Sequence, residues 1–448
     1  MQTLPFSRCT KGLVFERLPD GFGYGFNFAD PAGVKLIPPS LFDRIKSGYD
    51  SAKPSGDSVS FRANFPDLFR NPRATPQSDR LSVWLHVVNA CNFACHYCYV
   101  PHLRRFVDPK TIEKHSIDQT KFGSLLNNLL GYCQEQGLTE LHVTFAGGEP
   151  TLNLPLVEEF CRRAEEIGGP IRITFGIISN GSFTSDALLP LLRRYHMRIS
   201  LSVDGFAESH DRIRFELDEG KKVGSWGALL RNVDALLENG VQPYFLYTVT
   251  QGNFRDVARF AAYAHGKGLG FRLSLVRTKQ LVSRDDQEEI AQELVRFYGE
   301  IAEALSPRLP IQRNAAFAEW DLYRKKYVPC SSCRNYFAVD AEGGVASCQM
   351  RMDETYGNAG MEPFGQIVAK MQAASSTQTL SKPASRHGAC LQCEYFHVCG
   401  GGCPQHTALA LGSMDQPSPW CWVFGRVIPH YVRAVARQLQ RAVQTAQA

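Results

Sequence analysis

The sequence predicts an α/β fold: a partial (β/α)6 barrel with an N-terminal β-rich extension and a C-terminal cysteine-rich domain. Three observations carry this. Six short β-rich runs alternate with helical segments from residue 81 to 276, a glycine- and aromatic-rich stretch precedes them, and eleven of fourteen cysteines fall into three groups. With 448 residues and 44% hydrophobic content, the chain can bury a sizeable core and form more than one domain.

The extension comes first. Residues 19–33, PDGFGYGFNFADPAG, read as one or two hairpins before a short helix near 40–48, and residues 71–79 read as a linker. Such an extension either caps the open side of the barrel or offers a strand edge to an extended peptide. The six runs lie at 81–88, 140–147, 171–179, 197–203, 241–250 and 270–276. Helical spacing marks the segments between them, including 154–168 and 225–240, the latter with a serine suited to a cap and a closing glycine. Serial β/α units imply a parallel sheet with right-handed crossovers, and six units fall short of the eight that close a barrel. The active site is expected at the C-terminal ends of these strands. A charged helix near 284–305, the cysteine-rich stretch 330–421 and an amphipathic helix near 424–445 complete the chain. The boundaries expected are 1–80, 81–285, 286–329 (a helical bridge), 330–423 and 424–448.

A formal net charge of +5 without long like-charge runs gives no reason to expect nucleic acid as a partner. The first residues lack a signal-like apolar region, and nothing approaches ~18 consecutive apolar residues, so a cytoplasmic protein without membrane contact is expected. Cytosolic thiols stay reduced, which points the cysteine groups to metal or cluster ligation. Cys133 and Cys161 sit in helical patterns and are expected to be buried apolar residues, while Cys9 stands alone.

The first group, Cys91, Cys95 and Cys98 in CNFACHYC, directly follows the first predicted strand. Three thiolates on a four-iron cluster leave one iron open to a small chelating ligand. A zinc site with a remote fourth ligand, such as His96, is the alternative.

This CxxxCxxC pattern, with Tyr97 before the last cysteine, resembles the signature of the radical S-adenosylmethionine enzymes, whose fold is a partial β/α barrel. Further matches follow successive strands. Gly147, Gly148 and Glu149 in AGGEP resemble the motif that holds the methionyl amino group; glycines allow close backbone approach, and a carboxylate can pair with an ammonium. Ser179 and Asn180 resemble the residues near the ribose. Ser202, with Arg214 twelve residues on, resembles the pair that contacts the methionyl carboxylate, a task suited to the guanidinium fork. The resemblance covers about residues 81–280.

The remaining cysteines, Cys333, Cys348, Cys390, Cys393, Cys399, Cys403 and Cys421, resemble the seven-cysteine SPASM region of many such enzymes, which houses auxiliary four-iron clusters. Cys330 adds an eighth thiolate, so two fully ligated clusters are expected. By analogy, Cys330, Cys333, Cys348 and Cys403 hold the nearer cluster, and Cys390, Cys393, Cys399 and Cys421 the outer one. If Cys330 is dispensable, the nearer cluster has an open iron; a pair of zinc sites is the rival reading.

The resemblance implies three [4Fe-4S] clusters, S-adenosylmethionine, an external one-electron reductant and a ribosomally made precursor peptide. The expected reaction is an oxidative cross-link from a side-chain β-carbon, cyclophane-type first, with thioether formation, epimerisation and formylglycine formation on sulfatases as alternatives. Sulfatase maturases usually carry an acidic residue directly after the cysteine matching Cys348, where this chain has Gln349. A non-enzymatic zinc or iron–sulfur interaction module would leave the strand-end motifs unexplained. Asp204 and Asp340 read as ordinary turn carboxylates, and no catalytic base is assigned.

Overall fold

Along the first barrel strand, Arg80–Val88, Leu81, Val83 and Leu85 are fully buried while Ser82 and Trp84 remain partly open. That period of two gives the strand an outer face for helices and an inner face for the barrel lumen. The computed structural model describes residues 8–9, 13–19, 21–28, 31, 33–50, 78–100, 104–105, 109–218, 221–305, 310–311, 314–323, 326, 330–374 and 388–447. The next five strands are Glu140–Gly147, Arg172–Ser179, Arg198–Val203, Tyr244–Val249 and Phe271–Leu275, all parallel and neighbouring in sequence order. All six predicted strands are present, within three residues of their expected ends. The order is that of an opened barrel.

Both edges of this opened barrel are covered by chain from beyond residue 276, where the sequence pattern shows no further alternation. Tyr336–Val339 pairs parallel with the first strand, Ala338 opposite Trp84, and two antiparallel strands, Gly344–Ala346 and Thr355–Asn358, extend the sheet to nine strands. At the other edge Leu273 donates to Ala316 O and accepts from Ala318 N, both at 3.0 Å. Unpaired strand edges present orphan backbone groups, and these additions satisfy them. Phe337, fully buried, meets Tyr132 and Phe364 edge to face.

The extension forms a four-stranded antiparallel sheet of Arg8–Cys9, Leu13–Arg17, Gly23–Asn27 and Lys35–Ile37, followed by the helix Pro39–Asp50. Among its described residues, contacts run to the C-terminal part of the chain. Glu16 accepts from Tyr24 and pairs with Arg433 at 2.7 Å, Gly33 N donates to Leu322 O, and Phe28 meets Tyr395. Most of the expected linker lies outside the described residues. Arg284–Ala304 matches its expected helix, and the last helix, Cys421–Gln447, starts three residues early and packs against it.

Ser225 is not the side-chain cap its position suggested. Its hydroxyl donates to Arg214 O at 2.9 Å, and Asp211 instead accepts from Trp226 N at the helix start. Cys133 and Cys161 are buried in the core, as expected.

Phe337→Ala would leave a cavity between the sheet and two helices, and should destabilise the protein by about 3–5 kcal/mol. A lower denaturant midpoint in the metal-free protein, with unchanged slope, is the expected result; an unchanged midpoint would show that this strand adds little to the fold.

Candidate active site

Three loops meet where the barrel strands end. The first turns through residues 91–98, with Phe93 N donating to Cys91 Sγ at 3.4 Å and Cys98 N to Cys95 O at 3.1 Å. The second, after Glu140–Gly147, presses against it: Gly148 N donates to Val88 O at 3.0 Å and Glu149 N to Ala90 O at 2.9 Å. Gly147 has φ +127°, and a Cβ at Gly148 would stand 1.8 Å from Ala90 O. Only glycine permits that approach. The third follows Arg172–Ser179, where Asn180 N donates to Glu149 Oε2 at 2.6 Å and Asn180 Nδ2 donates to Asn92 Oδ1 at 2.9 Å, 4.0 Å from Cys91 Sγ.

Cys91, Cys95 and Cys98 line one cavity of about 240 Å³ at this meeting point, and the same cavity is walled by Tyr97, Gly147, Gly148, Glu149, Ser179, Asn180, Ser202 and Arg214. All eleven residues assigned there by sequence are thus together. His96, the alternative zinc ligand, is exposed, faces Phe215 and is absent from the cavity wall.

Two side chains make contacts within the protein that the sequence reading did not give them. Glu149 accepts from Thr151 N, Thr151 Oγ1 and Asn180 N, so its carboxylate caps the following turn and ties two loops together. Burial raises its pKa, and those donors act against the rise. Asp204 is fully buried rather than a solvated turn residue. It accepts from Arg214 Nε at 2.7 Å and Tyr97 OH at 2.6 Å, while Arg214 also reaches Tyr97 OH and lies 3.6 Å from Cys95 Sγ. Burial raises the Asp204 carboxyl and the Arg214 guanidinium opposes it. The signal missed was position, since Asp204 directly follows a barrel strand. Asp340 is the turn carboxylate expected, accepting from the backbone of Glu342 and Gly344.

His210 supports this network from below. Asp204 N donates to Nδ1 at 3.3 Å, and Nε2 lies 3.0 Å from Ser225 Oγ, so Nδ1 is an acceptor and the ring is neutral. Burial, then the Arg214 charge, lower its pKa to about 3.

The cavity also takes residues the sequence reading did not single out for it: Trp84, Tyr99, Arg272, Arg277 and Gln349. Arg277 pairs with Glu319 and lies within electrostatic reach of Cys403 and Tyr99. Gln349 accepts from Tyr336 OH.

The other cysteines gather as two sets. Cys330 feels Cys403, Cys348 feels Cys403 and Cys330, and Cys333 feels Cys330. Cys390, Cys393, Cys399 and Cys421 line a second cavity of about 160 Å³, with Phe396, Phe424 and Ile428. Among the described residues no three His, Cys, Asp or Glu side chains converge on a single-ion site. A tetrahedral zinc draws its sulfurs to within about 2.3 Å of one point; the four thiols of Cys390, Cys393, Cys399 and Cys421, set around a cavity, suit a larger group. Burial raises the thiol pKa, up to about 11 at Cys95 and Cys390 and about 12 at Cys333 and Cys399. Bound metal reverses that penalty by stabilising thiolate. Backbone N–H groups already point at sulfur, from Met350 to Cys348 and from Gly401 to Cys399.

Residues 85–264 match the Radical SAM superfamily. They are a radical SAM domain. The serine-type anaerobic sulfatase-maturating enzyme of Klebsiella aerogenes is 23% identical over 335 residues, 72% of this chain and 78% of that one. The mycofactocin maturase MftC of Mycolicibacterium smegmatis is 23% identical over 369 residues, 78% of this chain and 86% of that one. The solved structure of native anSMEcpe with bound AdoMet and Kp18Cys peptide superposes with a TM-score of 0.62 at 18% identity, covering 80% of this chain and 99% of that chain. That likeness extends the shared fold well beyond the radical SAM domain. No helix among the described residues is long and apolar enough to cross a membrane.

Gly148→Ala should weaken S-adenosylmethionine binding by about tenfold or more, whereas Gly123→Ala, with open space at its Cβ, should not; equilibrium dialysis with reconstituted protein reads both. Unchanged binding in Gly148→Ala would show that the two loops need not approach so closely. A second expectation concerns pH. The neutral His210 of the folded state has its pKa far below the unfolded value of about 6.5, so its contribution is complete above that value and is lost as pH falls toward about 3. Between pH 7 and 5 the wild-type denaturation midpoint should fall more than that of His210→Asn; equal slopes would contradict a neutral buried ring.

Proposed function

We propose that this chain is a radical SAM maturase of a ribosomally made peptide, and that it forms an oxidative intramolecular cross-link, cyclophane-type by preference. One observation carries the reading: a single cavity joins the three thiols of residues 91–98, the polar strand ends of the radical SAM domain and Gln349 from the cysteine-rich region. When bound, a four-iron cluster and S-adenosylmethionine supply one-electron cleavage of the sulfonium to methionine and a 5′-deoxyadenosyl radical able to abstract hydrogen from an unactivated carbon.

The chain's own residues orient and shield. Cys91, Cys95 and Cys98 would hold that cluster, with Phe93 N and Asn180 Nδ2 directed at the Cys91 sulfur. Gly147 and Gly148 bring backbone to the cavity wall, and Ser179 and Ser202 add hydroxyls. Arg214 is held by Asp204 and Tyr97, so its fork stands in a fixed orientation to meet a carboxylate. The two outer thiol sets would hold auxiliary clusters, a route by which the electron released on product oxidation leaves the site. The external reductant and the precursor peptide belong to this proposal.

A second reading, formylglycine formation on a sulfatase, is favoured by the similarity to sulfatase-maturating enzymes. Gln349 weighs against it, because an amide with its oxygen on Tyr336 OH offers no proton acceptor comparable to a carboxylate.

Anaerobic reconstitution should give roughly eleven to twelve irons per chain and, with a strong reductant, 5′-deoxyadenosine. Stoichiometric zinc without iron at Cys91, Cys95 and Cys98, or intact clusters that yield no 5′-deoxyadenosine, would refute the reading. Co-expression with a precursor peptide should give a two-hydrogen mass loss without hydrazide-reactive aldehyde. An aldehyde would assign the sulfatase-type reaction, and an unchanged mass with altered stereochemistry epimerisation.

A further inference from the structure

We propose that Arg272 is the carboxylate-recognition residue of the substrate, so that the peptide presents to the cavity an acidic side chain or its own C-terminal carboxylate. The inference rests on the peptide-maturase reading and deepens it by naming the chemistry of the substrate.

Three arginines line the cavity. Arg214 pairs with Asp204 and takes the methionyl carboxylate in the maturase reading, and Arg277 pairs with Glu319, both with little exposure. For Arg272, among the described residues no carboxylate forms an ion pair and no acceptor takes a hydrogen bond. It stands in the sixth barrel strand between Phe271 and Leu273, both buried, and opposite Leu246 in the neighbouring strand. The alternation of that strand turns Arg272 with Ser274 toward the lumen, and both line the cavity. Its side chain is exposed.

The surroundings narrow the ligand further. Burial raises the pKa of Tyr244 and Tyr336, and the Arg272 charge acts against that rise, which puts the guanidinium near two phenols. Trp84, edge to face with Tyr336, provides an apolar wall beside the charge. The inward neighbours Leu246, Thr248 and Ser274 are neutral. A protein-lined concavity with one uncommitted guanidinium and aromatic walls favours a planar anion bound through paired N–H donors, and a carboxylate is the anion a peptide carries. Methionyl carboxylate recognition falls to Ser202 and Arg214 in the proposal above, which leaves Arg272 for the second substrate.

Three short peptides test this on reconstituted holoenzyme with S-adenosylmethionine bound, by saturation-transfer NMR titration: acetyl-Gly-Glu-Gly-amide, acetyl-Gly-Gln-Gly-amide and acetyl-Gly-Gly-Gly with a free C-terminus. A carboxylate-bearing peptide should bind about tenfold or more tightly than the glutamine peptide. Preference for the first peptide assigns a side-chain carboxylate, and preference for the third a chain terminus. Arg272→Gln should abolish the preference, and Arg272→Lys should keep part of it. Equal binding of all three peptides, or a preference that survives Arg272→Gln, overturns the proposal. Formation of 5′-deoxyadenosine by the wild-type protein alone is scored separately, so failure of the recognition residue is distinguishable from failure of the maturase reading.

Discussion

The Glu149 carboxylate is almost completely buried at the mouth of the barrel, with one oxygen on Thr151 and the other on Asn180 N. A carboxylate removed from water is costly unless donors surround it, and here the donors come from two different loops. Glu149 N meanwhile donates to Ala90 O in the cysteine loop. One residue therefore binds the loops after the first, second and third strands to each other. The contact of Gly148 with Ala90 makes the same demand sterically. Without these constraints three flexible strand-end loops would have no common geometry, and the thiols of residues 91–98 would have no fixed relation to the polar groups opposite.

The two arginines with little exposure at the cavity are each paired with a carboxylate. Arg214 and Asp204 satisfy each other beside Cys95, and Arg277 and Glu319 do so beside the inner thiol set. Breaking a buried pair costs about 3–5 kcal/mol, so each pair fixes the position of its arginine more strongly than a solvated charge could. Tyr97 joins the first pair through its hydroxyl, which links the cysteine loop to the fourth strand end. The tyrosine quoted with the cysteine pattern thus has a structural part in this chain, independent of any ligand.

Much of this was legible because the relevant signals are local. Strand runs, the Gly147–Gly148 pair and the CNFACHYC spacing each occupy about ten residues or fewer, and the six strands lie where they were read while the eleven residues assigned to the site line one cavity. Asp204 was misjudged because a carboxylate after a strand looks the same whether it meets solvent or Arg214, ten residues on. Ser225 has the composition of a cap, yet its hydroxyl is taken by Arg214 O. The parallel pairing of Tyr336–Val339 with the first strand joins residues some 250 apart, and YFAV has no period that names its partner. Arg272 and Gln349 belong to the cavity through tertiary packing alone.

The pairing of Tyr336–Val339 with the first strand also decides what the cysteine-rich region is to the barrel. Ala338 stands opposite Trp84, a cavity residue, and ten positions later the chain reaches Cys348 and Gln349. A single continuous core runs from Leu81 and Val83 through Phe337 and Val345 to the last helix. Separate domains would meet through a polar, replaceable interface; here the boundary is a ladder of backbone hydrogen bonds and buried aromatics. The inner thiol set is consequently built on the same sheet as the cavity, and Arg277, at the end of the sixth strand, lies between the two. A change in the cavity's electrostatics would therefore be felt at Cys403 and Cys348, because the same guanidinium faces both.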